Sequence, residues 1–268
     1  MEHALQSFLP YAPWADPVAR KLPGVRPLEI ADWIVTDDAF DAQMRLRDRL
    51  IAANPDAVLR MDEAARPAAV ELLNMVADAL AGIQGYSHEA AGLRRPDGVV
   101  VPLDRNDPMA TLGKLCQDDF CILEKRGSEH VLTAAVLCFP ASWSLAQKFL
   151  RPLISIHEPV ASYDEDIARR VQRLFDAVRV GQVLWRANSL LYADPDLHQP
   201  RNEGESRPRP GPAAPYVRSE RQCLRRLPIS GAVVFSIHTW VVHRKDLTAE
   251  QEGDLQRHMP GAKPEPAQ

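Results

Sequence analysis

Residues that could do chemistry concentrate in three short segments of the second half of the chain, and the first surrounds His157. This histidine stands in the apolar run LISIHEPV at residues 153–160 and is followed by Glu158-Pro159. Because the residue before a proline disfavours the helical region, the pattern predicts an extended segment with His157 on a short strand. One imidazole nitrogen could then bind a metal or a haem iron while a carbonyl or carboxylate holds the other. A partly buried structural histidine is the alternative interpretation.

The second segment is a strand-like run that is unusually rich in arginine, YVRSERQCLRRLP at residues 216–228. Strand alternation places Arg218, Glu220 and Gln222 on one face and Arg221 on the other. An arginine that points inward could hold an anionic carboxylate, because its planar fork matches that group with two parallel hydrogen bonds. A solvated edge face is the alternative.

The third segment, LWRANSLLY at residues 184–192, places Arg186 and Asn188 on the same side of a predicted strand, opposite Trp185. This polar pair either meets a ligand or forms the solvent side of the strand. His238, in FSIHTW, follows a strongly apolar strand and could be a pocket residue or a second axial ligand. No two histidines have the usual spacing of a zinc site.

The elements that must position these residues indicate an α+β fold. Apolar periodicity and caps predict helices over residues 37–53 and 66–81, before the main strands begin. Strands are predicted on both sides of the turn KRGS, in QVLWRAN, and on both sides of LPISG. Short helices are predicted at 142–150, 163–179 and 248–258. Helices followed by antiparallel-looking strands favour α+β over a doubly wound sheet.

The remaining segments are predicted to be irregular. The first 35 residues are expected to lie on the body as an arm, through Phe8, Tyr11, Trp14 and Trp33. The polar, proline-rich stretch at 194–215 is expected to be an exposed loop or lid.

Composition limits the classes of function. With 46% apolar and 25% charged residues and a net charge of -4, the chain has the make-up of a soluble globular protein, with no sign of nucleic-acid or membrane binding. No apolar run approaches the roughly 20 residues of a membrane span. No secretion signal is expected, because the first residues have no basic leader followed by an apolar block. The four cysteines form no CxxC pair and are expected to be free, buried thiols of a cytoplasmic protein. Common nucleotide-binding, hydrolase and zinc-peptidase motifs are absent from the sequence.

Several of these motifs together carry a resemblance to a known family. The runs LRPLISIHEPV, LWRAN and VRSERQCLRRLPISGAVVFSIHTWV resemble the haem-dependent oxidative N-demethylase alpha-subunit-like family, over roughly residues 10 to 245. The resemblance implies haem b in a PAS-like antiparallel sheet flanked by helices, with an N-terminal helical extension. A single domain over 1–268 is expected, with an arm and helices at 1–110, a sheet-containing core at 111–258 and a disordered tail at 259–268.

The resemblance also implies roles for the cofactor-binding residues. His157 matches the IHxPV run and is expected to be the axial ligand of the iron. Arg221, with Arg218 as second choice, would pair with the haem propionates, and Glu220 would orient a neighbouring arginine.

On the substrate side, the resemblance implies pocket roles for Arg186, Asn188 and His238. The expected reaction is oxidation of a small secondary amine such as dimethylamine with O2, releasing an aldehyde and a shorter amine. Electrons would come from NADPH through separate flavin and iron–sulfur subunits, since this chain has no motif for either cofactor. Ser189 stands where the family pattern leads us to expect tryptophan, which leaves the amine open. A haem-binding sensor or carrier and a cofactor-free interaction domain are the alternatives.

Overall fold

The computed structural model describes residues 4–21, 23–157, 165–205 and 210–258. Within these residues, a seven-stranded antiparallel sheet contains β1 (Arg26–Leu28), β2 (Leu59–Met61), β6 (Asp119–Arg126), β7 (Glu129–Val136), β8 (Val183–Tyr192), β9 (Tyr216–Arg226) and β10 (Val233–His243). Across the sheet these strands lie in the order β1-β8-β9-β10-β6-β7-β2. A smaller antiparallel sheet contains β3 (Ser87–Glu89), β4 (Gly92–Arg94) and β5 (Val100–Val101). The α+β class predicted from the sequence is confirmed.

Two hairpins form where the turn residues predict them. The β6–β7 turn contains Gly127 at a φ of 67°, a left-handed conformation that glycine adopts without a steric cost. The β9–β10 turn contains Leu227, Pro228 and Gly231, the last with a φ of 72°. Backbone amides of this second turn donate to Glu71, which ties the hairpin to a helix behind it.

The helices are α1 (Phe40–Ala53), α2 (Pro55–Val58), α3 (Arg66–Ala81), α4 (Pro108–Leu115), α5 (Leu145–Lys148), α6 (Leu153–His157), α7 (Glu165–Ala177) and α8 (Ala249–His258). Pro67 stands in the first turn of α3, where its missing N–H has no intrahelical partner to lose. Leu72, Leu73, Val76 and Leu80 form the buried stripe of this helix. The helices predicted at 37–53 and 66–81 are therefore confirmed.

The two faces of the large sheet bury different parts of the chain. Phe120 and Ile122 of β6 pack in one apolar cluster with residues of α1, α3 and α4. Cys121 and Leu123, on the opposite face of the same strand, pack in a second cluster with residues of α5, α6 and α7. Because strand side chains alternate between faces, each strand contributes to both clusters. A third cluster joins Trp14 of the N-terminal arm to the far end of the sheet and to α8.

The segment around His157 differs from the prediction. Residues Leu153–His157 form the short helix α6 and not a strand, with the amide of Ile156 donating to the carbonyl of Pro152. Pro152 suits a helix start because its φ is already fixed near the helical value. The restraint from Pro159 acts on the residue directly before it and does not reach the described residues of α6, of which His157 is the last.

Two strands of the large sheet come from the first 110 residues. These strands, β1 and β2, form the two edges of the seven-stranded sheet, next to β8 and β7. Trp14 and Trp33 are buried as predicted for the arm, whereas Phe8 is 52% exposed.

Parts of the proline-rich stretch are also anchored, since Leu197 and Ala214 are buried. Residues 206–209 of this stretch and the predicted tail at 259–268 lie outside the described residues.

None of the helices in the described ranges combines the length and the apolar character that crossing a membrane requires.

Candidate cofactor and substrate cavity

A cavity of about 840 Å³ lies between the sheet and the layer formed by α5, α6 and α7. This volume is in the upper part of the range of roughly 300–1,000 Å³ that is usual for small-molecule and cofactor sites. Most of the wall is apolar. The sheet contributes Cys121, Leu123, Leu132, Leu224, Phe235 and Ile237, and the helices contribute Leu153, Ile156, Ile167, Val171, Leu174 and Phe175.

One end of the cavity is polar because the same face of β8 and β9 carries charged and amide side chains. Arg186 lies opposite Gln222 across the strand pair, and Asn188 lies opposite Glu220. Arg186 Nη1 donates to Gln222 Oε1 at 2.9 Å, and Gln222 Nε2 donates to Glu220 Oε2 at 3.2 Å. Asn188 Nδ2 donates to the same carboxylate oxygen at 3.4 Å. The structure thus brings together three of the predicted site residues, with Gln222 as the link between them.

Arg218, a fourth predicted site residue, is fixed deep in this polar end. Its side chain is 2% exposed, and its two terminal nitrogens donate to the carbonyls of Leu197 and Phe139 at 3.0 and 2.7 Å. Its Nε lies 3.4 Å from Glu220 Oε1, and its guanidinium stands over the ring of Tyr192. The charge of Arg218 therefore acts on the cavity while its terminal donors are engaged by the backbone.

Arg186 offers a donor to the cavity. Its Nε is buried and has no hydrogen-bond partner among the described residues. Burial lowers the pKa of this guanidinium, and the nearby Glu220 carboxylate opposes that shift. A buried N–H without a partner is costly, so a ligand that places an acceptor oxygen at this nitrogen gains the hydrogen bond. Together Arg186, Arg218 and Glu220 leave this end with one positive charge in excess, which favours an acidic group.

Arg221 is not brought to the cavity. It lies on the opposite face of β9, where its terminal nitrogens donate to the carbonyls of Asp32 and Trp33 at 3.0 and 2.7 Å. Arg225, four residues further along the strand and on the same face, stands 4.4 Å above the ring of Trp33. These arginines fasten the N-terminal segment to the back of the sheet.

His238 is also on the back of the sheet, and it is fully buried. Its Nε2 lies 3.0 Å from Asp37 and its Nδ1 lies 3.2 Å from Asp118. Burial alone would lower the pKa of His238, but the two carboxylates outweigh burial and raise it. Burial would likewise raise the pKa of Asp37, but the hydrogen bonds from His238 and from Gln117 and Gln6 lower it. The geometry is that of a buried ion triad that joins β10 to the segment before α1 and to the residue before β6.

His157 is the last residue of α6, a helix that lines the cavity through Leu153 and Ile156. The side chain of His157 lies outside the part of the chain that the structure describes. Among the described residues, no cluster of three histidine, cysteine, aspartate or glutamate side chains has the arrangement of a metal site.

The residues at the solvent side of the cavity were not among the predicted site residues. Lys148 is buried, with its Nζ 2.7 Å from Glu203 Oε1, and both residues line the cavity. Sequence spacing offered no signal for this pair, because 55 residues separate the two positions. Gln222 could have been found, since it alternates in phase with Arg218 and Glu220.

The four cysteines are free and buried, as predicted. Burial raises the pKa of each thiol, including Cys121 in the cavity wall. They are therefore expected to stay protonated and unreactive.

Fold and cavity together define a class of protein. An α+β domain with an apolar cavity against one face of its sheet, and an arginine with a spare donor at one end, suits a large apolar ligand that carries an acidic group. The model of the family described as haem-dependent oxidative N-demethylase, alpha subunit-like, matches residues 24–267, and the chain belongs to that family. The family resemblance predicted from the sequence is confirmed.

Proposed function

We propose that this chain binds haem b in the cavity and acts as a haem-dependent oxidative N-demethylase on a small secondary amine. The observation that carries the proposal is the match between an amphipathic cofactor and an amphipathic cavity in a member of this family. A porphyrin offers two apolar faces to the aliphatic and aromatic wall, and its carboxylates require cationic donors.

Arg186 is the proposed partner of a haem carboxylate. Its buried Nε has no hydrogen-bond partner within the described ranges and can donate to the carboxylate. Arg218 adds a second positive charge at the same end of the cavity. Charge-assisted hydrogen bonds of this kind are roughly twice as strong as neutral ones. Arg221, the first choice from sequence, is replaced in this role because it faces the other side of the sheet.

His157 is the proposed ligand of the iron. Its backbone belongs to α6, a helix that lines the cavity through Leu153 and Ile156. His157 also stands in the IHxPV run that carries the family resemblance.

When bound, haem would supply an iron centre able to use O2 to oxidise the N-alkyl group of an amine, releasing an aldehyde and a shorter amine. The protein's part is to hold the amine and to exclude water. Among the described residues, Glu220 Oε2 accepts two long hydrogen bonds, at 3.2 and 3.4 Å, and it is proposed to accept another from the amine nitrogen. Asn188 and Gln222 would keep that carboxylate in place, and the apolar wall would keep bulk water from the reacting carbon.

The proposed partners follow from the family description, since an alpha subunit implies other subunits. Electrons are proposed to arrive from separate flavin and iron–sulfur subunits, in the cytoplasm, because this sequence has no motif for either cofactor.

Hemin titration followed by absorption spectroscopy tests the cofactor. The wild type should give an intense Soret band at one equivalent, and His157→Ala should shift the band or abolish it. His88→Ala, at an exposed histidine of β3, should match the wild type. An unchanged ferric and ferrous spectrum in His157→Ala would refute the ligand assignment.

Aldehyde release tests the reaction. The haem-loaded protein, a chemical reductant and O2 are mixed with dimethylamine and a panel of secondary amines. We expect formaldehyde from at least one N-methyl amine. Haem binding without turnover of any amine would refute the demethylase proposal and favour a haem carrier or sensor.

A further inference from the structure

The solvent side of the cavity is closed by two segments that come from distant parts of the chain. Residues 141–148 contain α5, and residues 201–205 follow β8; both segments line the cavity. Asn202, Glu203, Gly204 and Glu205 are exposed to solvent as well. Residues that line a cavity and also face solvent form its outer wall.

The α5 side of this wall is anchored to the body of the protein. Leu145 is buried, and the amide of Leu150 donates to the carbonyl of Leu132 in β7 at 2.9 Å. The two segments meet at one end through backbone hydrogen bonds, where Ser142 donates to Gln199 and Gln199 donates to Pro140. Motion about this end would lift residues 200–205 while α5 stays in place.

At the other end, Glu203 connects the two segments. Its carboxylate accepts from Lys148 Nζ at 2.7 Å and lies 3.4 Å from Arg151 Nη1, and its amide donates to Gln147 Oε1 at 2.8 Å. The Lys148 side chain is only 6% exposed. These contacts hold Glu203 to the anchored side. Because Lys148 is buried, solvent and salt screen this ion pair less than a pair of two surface residues.

We propose that residues 200–205 are a strap over the entrance of the cavity and that the Glu203 carboxylate is the latch that holds it shut. The latch would set how fast a ligand enters and leaves, by fixing the fraction of time the strap is lifted. The proposal concerns access to the cavity and does not depend on which ligand the cavity binds.

Stopped-flow binding of Nile red to the haem-free chain tests the latch. This probe is apolar and uncharged, so removing a negative charge at the entrance does not attract or repel it. Glu203→Gln keeps the shape of the side chain but loses the ion pair, and it should raise both the entry and the release rate about three- to tenfold, the range of an exposed to partly buried pair. The equilibrium affinity should stay within about twofold.

Glu205→Gln is the matched control. Its carboxylate lies in the same segment but pairs with Asn202 inside that segment, so its rates should equal those of the wild type. The double variant Glu203→Gln with Lys148→Gln should be no faster than Glu203→Gln alone, because both substitutions remove one contact.

Thermal melting and near-ultraviolet circular dichroism check that each variant is folded. Rates in Glu203→Gln equal to those of the wild type would refute the latch. A change in Nile red affinity that comes from the entry rate alone or from the release rate alone would also refute the latch, because Glu203 would then be a binding contact. Since the probe replaces haem, failure of the haem proposal leaves this result unaffected.

Discussion

Replacing Arg186 by glutamine gives the sharpest test of where the acidic groups of the cofactor lie. The substitution removes the charge and the spare Nε donor but leaves an amide able to donate to Gln222, the present partner of Arg186. A hydrogen bond between charged groups contributes about 1.5–3 kcal/mol. Arg186 is half-buried, so the lower part of that range applies after solvent screening. Hemin affinity should therefore fall about 10- to 30-fold.

Arg221→Gln is the matched control, because it removes an arginine from the next strand but from the opposite face of the sheet. Its hydrogen bonds to the carbonyls of Asp32 and Trp33 are lost. Stability should drop by about 1–3 kcal/mol through these unpaired carbonyls, with hemin affinity within about twofold of the wild type.

The assay is hemin titration at the Soret band, together with the rate of haem transfer to an excess of a haem-scavenging protein. Urea unfolding of the haem-free variants separates stability from cofactor binding. Equal hemin affinities for Arg186→Gln and the wild type would refute the carboxylate assignment. A larger loss for Arg221→Gln would place the cofactor on the other face of the sheet.

Two further predictions concern the buried charges behind the sheet. His238→Gln should cost most stability at about pH 4–6.5. The raised pKa of His238 contributes stability that is complete below about pH 6.5 and is lost as pH rises through the folded pKa. The lowered pKa of Asp37 contributes stability that is lost as pH falls below about 4. Thermal melting of both proteins from pH 4 to 9 checks this, and a pH-independent difference would contradict the charged triad. Arg47→Met, which strips a fully buried arginine from Asp119, should cost about 3–5 kcal/mol in urea unfolding. The exposed pair of Arg66 with Glu63 provides the comparison, and Arg66→Met should cost far less stability than Arg47→Met.

Local chemistry made the helices and hairpins predictable from the sequence. The α3 helix has Pro67 in its first turn, an apolar stripe at helical spacing, and Gly82 at its end. The β6–β7 hairpin has Gly127 in a turn between two apolar strands. Each of these signals lies within a few residues of the structure it controls.

The prediction of a strand at His157 was wrong, because the effect of a proline does not extend that far along the chain. Pro159 restrains the residue before it, and the prediction carried that restraint back to His157. The actual helix depends on a hydrogen bond from Ile156 to Pro152 and on packing of Leu153 in the cavity wall. The small β3–β5 sheet and the edge strands β1 and β2 were also missed, because each has only two or three residues.

The amino-acid sequence by itself determined that Arg218 and Glu220 lie on one face of β9 and Arg221 on the other, since side chains alternate along any strand. Only the tertiary structure decided which of those faces borders a cavity, because that depends on where α5, α6 and α7 pack. The same holds for His238, whose partners Asp37 and Asp118 are 201 and 120 residues away in the sequence. Contacts at such separations arise when the whole sheet closes around its core, and no short stretch of residues encodes them.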